Sequence, residues 1–325
     1  MSDNASLGKT KIVGPHQAIA AADDREHFAL EMFDSLWDRY RTRVGYVADY
    51  ERVVYNAGAT FVNDHIALRS FASQRPLTGI ASLSRIFEAL GYVATSCYHF
   101  SDKHLNAIHL QHTNRDFPKV FVSELRTWEL SPAAQQVISR IIADHRLPID
   151  VETLASLSNL GHRPVENRSH LLETVIAQFH ELPWNLPEKQ DLLALNADSQ
   201  YAAWVAVHGY NINHFTSLIN SHGIESLGDI EQTVAALKTA GVPMKATIEG
   251  EPGSKLRQSA TEAAVIDVHV TENGCETTMP WTYAYFELAE RGNVTDPDTG
   301  QPVRFEGFLG PQATQLFEMT RLGNG

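Results

Sequence analysis

The sequence predicts an α+β fold made of two βαβββ modules separated by an α-helical insertion. Each half of the chain shows a β-forming run, a helical run and a glycine at the expected helix end, in the same order. His65 precedes Gly91 by 26 residues (91 − 65 = 26), and His214 precedes Gly241 by 27 (241 − 214 = 27). This agreement indicates an internal repeat, although any chain that alternates strands and helices gives some matching intervals by chance.

We expect four segments along the chain. They are an N-terminal helical segment (1–59), the first βαβββ module (60–130), the α-helical insertion (131–200), and the second βαβββ module with a C-terminal tail (201–325).

The predicted elements of the first half follow from spacing and end signals. Apolar residues at helical spacing predict a packing helix over 27–40. The β-forming run 60–70 predicts a strand, and a helix follows from Thr78 to Leu90, where Gly91 is expected to cap it. Three short apolar runs then predict strands over 92–97, 106–111 and 119–125.

The insertion begins where Ser131 and Pro132 form a helix start signal. Helices are predicted there over 131–144, 151–158 and 169–181. For the second half we predict a strand over 204–218, a helix over 227–240, and strands over 244–249, 258–270 and 282–289.

Glu124 in the first half and Glu287 in the second are expected to be equivalent positions of the repeat. The interval from glycine to acid is longer in the second half (287 − 241 = 46) than in the first (124 − 91 = 33). We therefore expect a longer hairpin in the second half, at 249–257, where Pro252 and Gly253 favour a turn.

Composition excludes several classes of function. The net charge of −13 and the absence of basic runs argue against a nucleic-acid partner, because such binding needs clustered Lys and Arg. No apolar stretch is long enough to span a membrane, and Met1–Lys11 is too polar for a signal peptide, so a cytoplasmic protein is expected. Two cysteines, Cys97 and Cys275, are too few for a disulfide framework.

Polar side chains on predicted strands mark a candidate metal site. Strand alternation places His65 and Arg69 on one face, and both would need partners if that face is buried; an exposed strand face is the alternative. His214 lies at the equivalent place in the second half, and Glu287 lies in the last predicted strand. Two histidines and one carboxylate form the ligand set of non-haem Fe(II) sites with open coordination positions.

Other functions are compatible with the same residues. If Glu124 is a fourth ligand, the site becomes a closed Lewis-acid centre, which suits a lyase or isomerase with Zn, Ni or Mn. A non-catalytic small-molecule binding protein is a further alternative. Against it, two His, one Glu and one Arg at consistent strand positions exceed what hydrophobic capture of a ligand requires.

The paired modules resemble the vicinal oxygen chelate, or glyoxalase-like, superfamily. More closely, the motifs of the chain resemble those of the 2-oxoadipate dioxygenase/decarboxylase family over roughly residues 30–320. The matching segments are Asn63-Asp64-His65-Ile66-Ala67-Leu68-Arg69, His208-Gly209-Tyr210 through Asn213-His214-Phe215-Thr216, and Tyr285-Phe286-Glu287. Leu256-Arg257-Gln258-Ser259 and Phe286-Glu287-Leu288 with Arg291 also resemble closing segments of 4-hydroxyphenylpyruvate dioxygenase.

The resemblance implies an Fe(II) enzyme that converts 2-oxoadipate to 2-hydroxyglutarate, with dioxygen as second substrate and loss of carbon dioxide. It implies His65, His214 and Glu287 as metal ligands and Arg69 as the catalytic residue that binds a substrate carboxylate. Gln258 and Tyr285 are the other expected substrate contacts. Many bacterial members extend further at the carboxyl end, so the chemistry is expected to transfer more closely than the substrate.

Overall fold

The computed structural model describes residues 14–146, 149–162 and 167–309. The Met1–Lys11 segment, to which the signal-peptide expectation applies, and the tail beyond residue 309 lie outside these residues. Two helices come first, α1 (Asp24–Arg43) and α2 (Tyr46–Asn56). The Asp23 side chain caps α1 by accepting hydrogen bonds from the backbone N–H groups of residues 25 and 26, and the predicted apolar stripe of α1 faces the core. None of the described helices is both long and apolar enough to cross a bilayer.

The first module follows the predicted βαβββ order. Gly91 adopts a φ of +97° directly after the helix, and a Cβ there would lie 2.9 Å from the His112 ring, so the position suits glycine alone. The elements are β1 (Asn63–Phe71), α3 (Ile80–Ala89), β2 (Tyr92–Phe100), β3 (Leu105–His112) and β4 (Lys119–Leu125).

The insertion is longer than its predicted range, because residues 200–208 form a helix. Its elements are α4 (Pro132–Ile142), α5 (Val151–Asn159), α6 (Arg168–His180), α7 (Lys189–Asp198) and α8 (Gln200–His208).

The predicted strand 204–218 is therefore wrong in its first part, and the strand β5 spans only Ile212–Leu218. Residues 201–208 are all buried, and a run that is apolar on every side does not distinguish a buried helix from a buried strand. Ser199 caps α8 through the backbone N–H of Ala202, and Gly209 ends the helix.

The second module departs from the predicted strands in three places. The run 244–249 makes only isolated bridges, and the predicted strands 258–270 and 282–289 each divide into two strands that lie in different sheets. A separate hairpin over residues 265–282 accounts for the additional length, which was expected at 249–257. The elements are α9 (Ile230–Thr239), β6 (Leu256–Ala260), β7 (Val265–Glu272), β8 (Cys275–Thr282), β9 (Glu287–Arg291), β10 (Asn293–Thr295) and β11 (Pro302–Arg304).

The two modules share one seven-stranded sheet with the order β2-β3-β4-β1-β5-β9-β6. Strands β1 and β5 pair antiparallel at its centre, and each also pairs parallel with the closing strand of its own module, β4 or β9. His65 lies opposite Thr216, and Ala67 lies opposite His214. A pseudo-twofold axis that relates the two modules would exchange these two residue pairs, so this is the register that such an axis requires.

The strand register corrects the expected equivalence of Glu124 and Glu287. Ala67 pairs with Phe121, and its counterpart Thr216 pairs with Glu287, so Phe121 occupies the position equivalent to Glu287. Three residues further along the closing strands lie Glu124 and Glu290. Each accepts a hydrogen bond from the first backbone N–H of its module's helix, Glu124 from residue 80 at 2.9 Å and Glu290 from residue 230 at 2.8 Å. These two acids are the true repeat pair.

Replacing Glu124 or Glu290 with Ala should destabilise the protein by about 1 kcal/mol each, because an N-terminal N–H of α3 or α9 loses its carboxylate partner. Urea denaturation measures the change in the free energy of unfolding. Glu88→Ala, at an exposed position of α3, is the matched control and should change stability by less than about 0.5 kcal/mol. Wild-type stability in both variants would contradict the assigned capping roles.

Candidate metal centre

Three strands of the central sheet bring His65, His214 and Glu287 together. The two Nε2 atoms are 3.4 Å apart, and each lies 3.5 Å from an oxygen of the Glu287 carboxylate. All three side chains are buried, and they form the group within the described residues whose donor atoms could hold a metal ion. The strand register produces this convergence, since β5 lies between β1 and β9.

A β-bulge precedes each histidine and sets the orientation of its ring. The pairing of β1 with β5 shifts register between Asn63 and His65, and again between Ala67 and Leu68. Asp64 and Asn213 are the residues added at these shifts. The Nδ1–H of His65 donates to the Asp64 carboxylate at 2.8 Å, and that of His214 donates to the Asn213 side-chain oxygen at 3.1 Å. Both rings therefore direct Nε2, with its lone pair, toward Glu287.

Asp64 is the ionised anchor of this arrangement. Its carboxylate forms two hydrogen bonds with the Arg291 guanidinium, at 2.5 and 2.7 Å, and lies 3.8 Å from the Lys119 ammonium. Burial alone would raise the pKa of Asp64, but these two cations hold that pKa well below its usual value. A negative charge therefore faces the His65 ring and stabilises the orientation in which Nδ1 carries the hydrogen.

The ligand groups themselves have pKa values shifted by burial. Burial lowers the pKa of His65 and, more strongly, of His214, so both imidazoles are neutral and able to donate a lone pair. Burial raises the pKa of Glu287 well above its usual value, and the nearby charge of Glu249 raises it further, whereas a hydrogen bond donated by Gln258 lowers it. A positive ion next to this carboxylate would offset the cost of burying its charge.

The three residues fit a divalent metal ion. Metal bonds of about 2.0–2.1 Å separate neighbouring ligand atoms by roughly 3–3.4 Å, close to the 3.4–3.5 Å found here. The Glu287 Oε2 atom is buried and accepts no hydrogen bond from the described residues. Neutral imidazole and carboxylate donors in this ratio match the ligand set of non-haem Fe(II) sites.

Glu124 does not join these ligands, so the structure does not support the alternative in which it is a fourth ligand. It follows the cavity-lining Ser123 on β4, and strand alternation directs its side chain to the other face of the sheet, where its carboxylate caps α3. Phe121 takes the repeat position that matches Glu287 and lines the cavity beside the histidines. An apolar ring cannot coordinate a metal, so the described residues offer three ligand side chains at this centre.

A cavity opens on the face of the sheet that carries the three ligands. The space between its walls is about 450 Å³ when the open solvent at the mouth is included. Apolar groups form much of the wall, and Arg69 supplies a buried positive charge. The lining residues are His65, Ala67, Leu68, Arg69, Phe121, Ser123, Asn213, His214, Gln258, Tyr285, Phe308 and Leu309.

The other three predicted site residues also lie in this cavity wall. Arg69 follows His65 along β1, and its guanidinium lies over the rings of Tyr201 and Trp204. Gln258 donates a hydrogen bond to the Glu287 Oε1 atom, so it orients a ligand as well as facing the cavity. The Tyr285 ring stacks on His214, with 4.9 Å between ring centres and 29° between planes.

Sequence reasoning missed several residues of the site. Asp64 stands next to His65 in a matched motif, but regular strand alternation would place it on the opposite face, and only the bulge brings it to the imidazole. Phe121 was not identified because its apolar side chain gives no indication of a functional site. Phe308 packs 4.8 Å from the His65 ring, and Arg291 binds the carbonyl oxygens of residues 305 and 307. These contacts join a distant segment to the site, which no local pattern indicates.

Comparison with known proteins identifies similar chains. A family model described as 2-oxoadipate dioxygenase/decarboxylase matches residues 34–301. The 2-oxoadipate dioxygenase/decarboxylase of Oryza sativa subsp. japonica, described as chloroplastic/amyloplastic, is 28% identical over 277 residues, covering 79% of this chain and 68% of that protein. A chloroplastic protein of the same name from Arabidopsis thaliana is 27% identical over 276 residues, covering 79% and 67%.

Solved structures share the fold. The hydroxyglutarate synthase of Oryza sativa, in complex with 2-oxoadipate, superposes with a TM-score of 0.74 at 24% identity, covering 94% of this chain and 97% of that one. A glyoxalase superfamily protein from Ralstonia eutropha gives a TM-score of 0.76 at 21% identity, covering 89% of each chain. These likenesses confirm the predicted glyoxalase-like α+β fold.

Replacing His65 or His214 with Ala, or Glu287 with Gln, should remove most bound metal, because each change deletes one of three ligands. Metal content per chain, measured by elemental analysis after anaerobic purification, checks this. Glu124→Gln is the matched control: it alters the carboxylate that the alternative function requires as a fourth ligand, and it should keep the wild-type content. Equal metal loss in Glu124→Gln and Glu287→Gln, or normal content in His214→Ala, would contradict the three-ligand assignment.

Proposed function

Because this chain belongs to the 2-oxoadipate dioxygenase/decarboxylase family, we propose that it is an Fe(II)-dependent decarboxylating dioxygenase that acts on a 2-oxo dicarboxylic acid. The proposed reaction converts 2-oxoadipate and dioxygen to 2-hydroxyglutarate and carbon dioxide. The observation that carries the proposal is a cavity that contains the three ligand side chains together with Arg69. Phe121 occupies the repeat position at which a fourth ligand could have stood. The relatives' names support the choice of substrate.

Fe(II) held by His65, His214 and Glu287 would supply open positions at which a 2-oxo acid and dioxygen can meet. The protein prepares these ligands for the ion. Asp64 and Asn213 orient the two imidazoles, and Gln258 orients the carboxylate. Because these supporting groups are buried, the ligand positions are fixed before any substrate enters.

Arg69 is suited to bind the second carboxylate of the substrate. A guanidinium forms paired, charge-assisted hydrogen bonds with a carboxylate, and Arg69 is nearly fully buried, so water weakens such a contact little. Four residues along a strand span roughly 13 Å at the backbone, and the side chain of Arg69 can extend back toward His65 over about half of that distance. Leu68, Phe121 and Phe308 provide apolar surface for the methylene chain between the two acid groups.

The overall reaction balances without a further reductant. The substrate 2-oxoadipate has six carbons and five oxygens in its acid form, and dioxygen adds two oxygens. Loss of the carboxyl group next to the ketone, as carbon dioxide, leaves the five carbons and five oxygens of 2-hydroxyglutarate. The two-electron oxidation that releases carbon dioxide and the hydroxylation of the carbon chain together consume one dioxygen. The chain's task is to hold the substrate and exclude water while this occurs.

Oxygen consumption tests the proposed function. The anaerobically purified, Fe(II)-loaded protein is mixed with a panel of 2-oxo acids, and oxygen uptake, carbon dioxide and organic products are quantified. We expect one dioxygen consumed per 2-hydroxyglutarate and per carbon dioxide formed, with 2-oxoadipate among the best substrates. Isomerisation of a substrate, or cleavage of one of its bonds, without oxygen uptake would contradict the proposal and favour a glyoxalase-like lyase or isomerase.

Arg69→Lys should lower kcat/KM for 2-oxoadipate by about 10- to 150-fold, the equivalent of about 1.5–3 kcal/mol for hydrogen bonds to a charged group, because lysine lacks the planar pair of donors. Metal content should stay at the wild-type value. The loss should largely vanish for 2-oxohexanoate, which has a methyl group in place of the distal carboxylate. Steady-state kinetics with both acids measures this, and equal losses for both would contradict the assigned role.

A further inference from the structure

Two aromatic side chains of α8 contact the guanidinium of Arg69. Its central carbon lies 5.1 Å from the centre of the Tyr201 ring and 5.2 Å from that of the Trp204 ring. Both distances are within the roughly 6 Å over which an aromatic face attracts a cation. The exposed fractions of Arg69, Tyr201 and Trp204 are 1%, 5% and 1%, so solvent does little to screen the attraction. We call Tyr201 and Trp204 the aromatic pair.

The aromatic pair is itself fixed to the sheet and to the segment before β9. The Tyr201 hydroxyl is hydrogen bonded to the Ser123 hydroxyl at 2.8 Å and accepts the backbone N–H of Ser70 at 3.2 Å. Ser123 is the β4 residue opposite Arg69 in the strand register. The Trp204 indole N–H donates to the Tyr283 carbonyl oxygen at 2.5 Å. These bonds are buried, so neither ring can turn away from Arg69 without leaving a polar group unsatisfied.

We propose that Tyr201 and Trp204 are positioning residues which hold Arg69 in the conformation that selects a substrate with a second carboxylate. This inference rests on the proposed function. A free arginine side chain loses substantial rotational freedom when it is ordered, and packing against the aromatic pair means that this loss has already occurred before substrate binds. An aromatic face attracts a cation without offering it an acceptor atom, so it does not compete for the N–H donors at the guanidinium edge.

The aromatic pair gives the helical insertion a role in substrate choice. The metal ligands all lie on strands of the two modules, whereas Tyr201 and Trp204 lie on α8, which runs directly into the second module. The modules would thus supply the metal centre and Arg69, and the insertion would hold Arg69 in the conformation that favours a dicarboxylate. Loss of the aromatic pair should weaken binding of the distal carboxylate and leave the metal-chelating end of the substrate unaffected.

Calorimetric titration of the Fe(II)-loaded protein under anaerobic conditions tests this inference without turnover. The two ligands are 2-oxoadipate and 2-oxohexanoate, and the preference is the ratio of their dissociation constants. Tyr201→Leu and Trp204→Leu should each lower the preference by about 2- to 30-fold, the range from an exposed to a desolvated cation–π contact. Tyr201→Phe keeps the ring and should restore most of the preference. In an Arg69→Ala background, Tyr201→Leu should produce no further change.

Trp184→Leu is the matched control, since Trp184 is a buried tryptophan of the same insertion that packs against Phe71 and Tyr210. It should reduce thermal stability while keeping the wild-type preference. If a leucine variant does not fold, Trp204→Phe, which loses the indole N–H and part of the ring, is compared instead, with a loss smaller than that expected for leucine. An unchanged preference in every aromatic variant, or equal losses for both ligands, overturns the proposal. A wild type that does not bind 2-oxoadipate contradicts the proposed function as well.

Discussion

The antiparallel pairing of β1 with β5 is the contact on which the site depends. Because the register places His65 opposite Thr216 and Ala67 opposite His214, the two histidines project from neighbouring strands toward the same point. A shift of one residue would send one imidazole to the other face of the sheet. The parallel strand β9 then adds Glu287 beside β5, next to Thr216. The candidate metal centre therefore depends on strand register at the junction of the two modules, and neither module contains all three side chains.

The two halves of the repeat carry different side chains at equivalent positions of the site. Asp64 and Asn213 occupy matching bulge positions and orient matching histidines, but one is a carboxylate paired with Arg291 and the other an uncharged amide. Glu287 and Phe121 also match, and here the second half provides a ligand where the first provides an apolar wall. With a metal bound as proposed, these departures from symmetry would leave part of its coordination sphere to small molecules.

The sequence could predict features that depend on local pattern. Strand, helix and glycine end signals led to the βαβββ order, and the motifs around His65, His214 and Glu287 led to the ligands that the structure brings together. It could not predict that residues 200–208 form a helix, because a fully buried run lacks the periodicity that separates helix from strand. The equivalence of Glu124 with Glu290 was missed since it depends on pairing register, and the role of Asp64 depends on a bulge. Both are long-range features that no interval along the chain encodes.

The most direct test of the three-ligand assignment is to determine how many protein side chains bind the ion. Crystals grown anaerobically with Fe(II) and measured at the iron absorption edge would locate the metal by its anomalous signal. We expect one iron per chain, bonded to Nε2 of His65, Nε2 of His214 and the carboxylate of Glu287, with Phe121 beside it and water or substrate in the remaining positions. Iron bonded to Glu124, or to any fourth protein side chain, would contradict the three-ligand assignment.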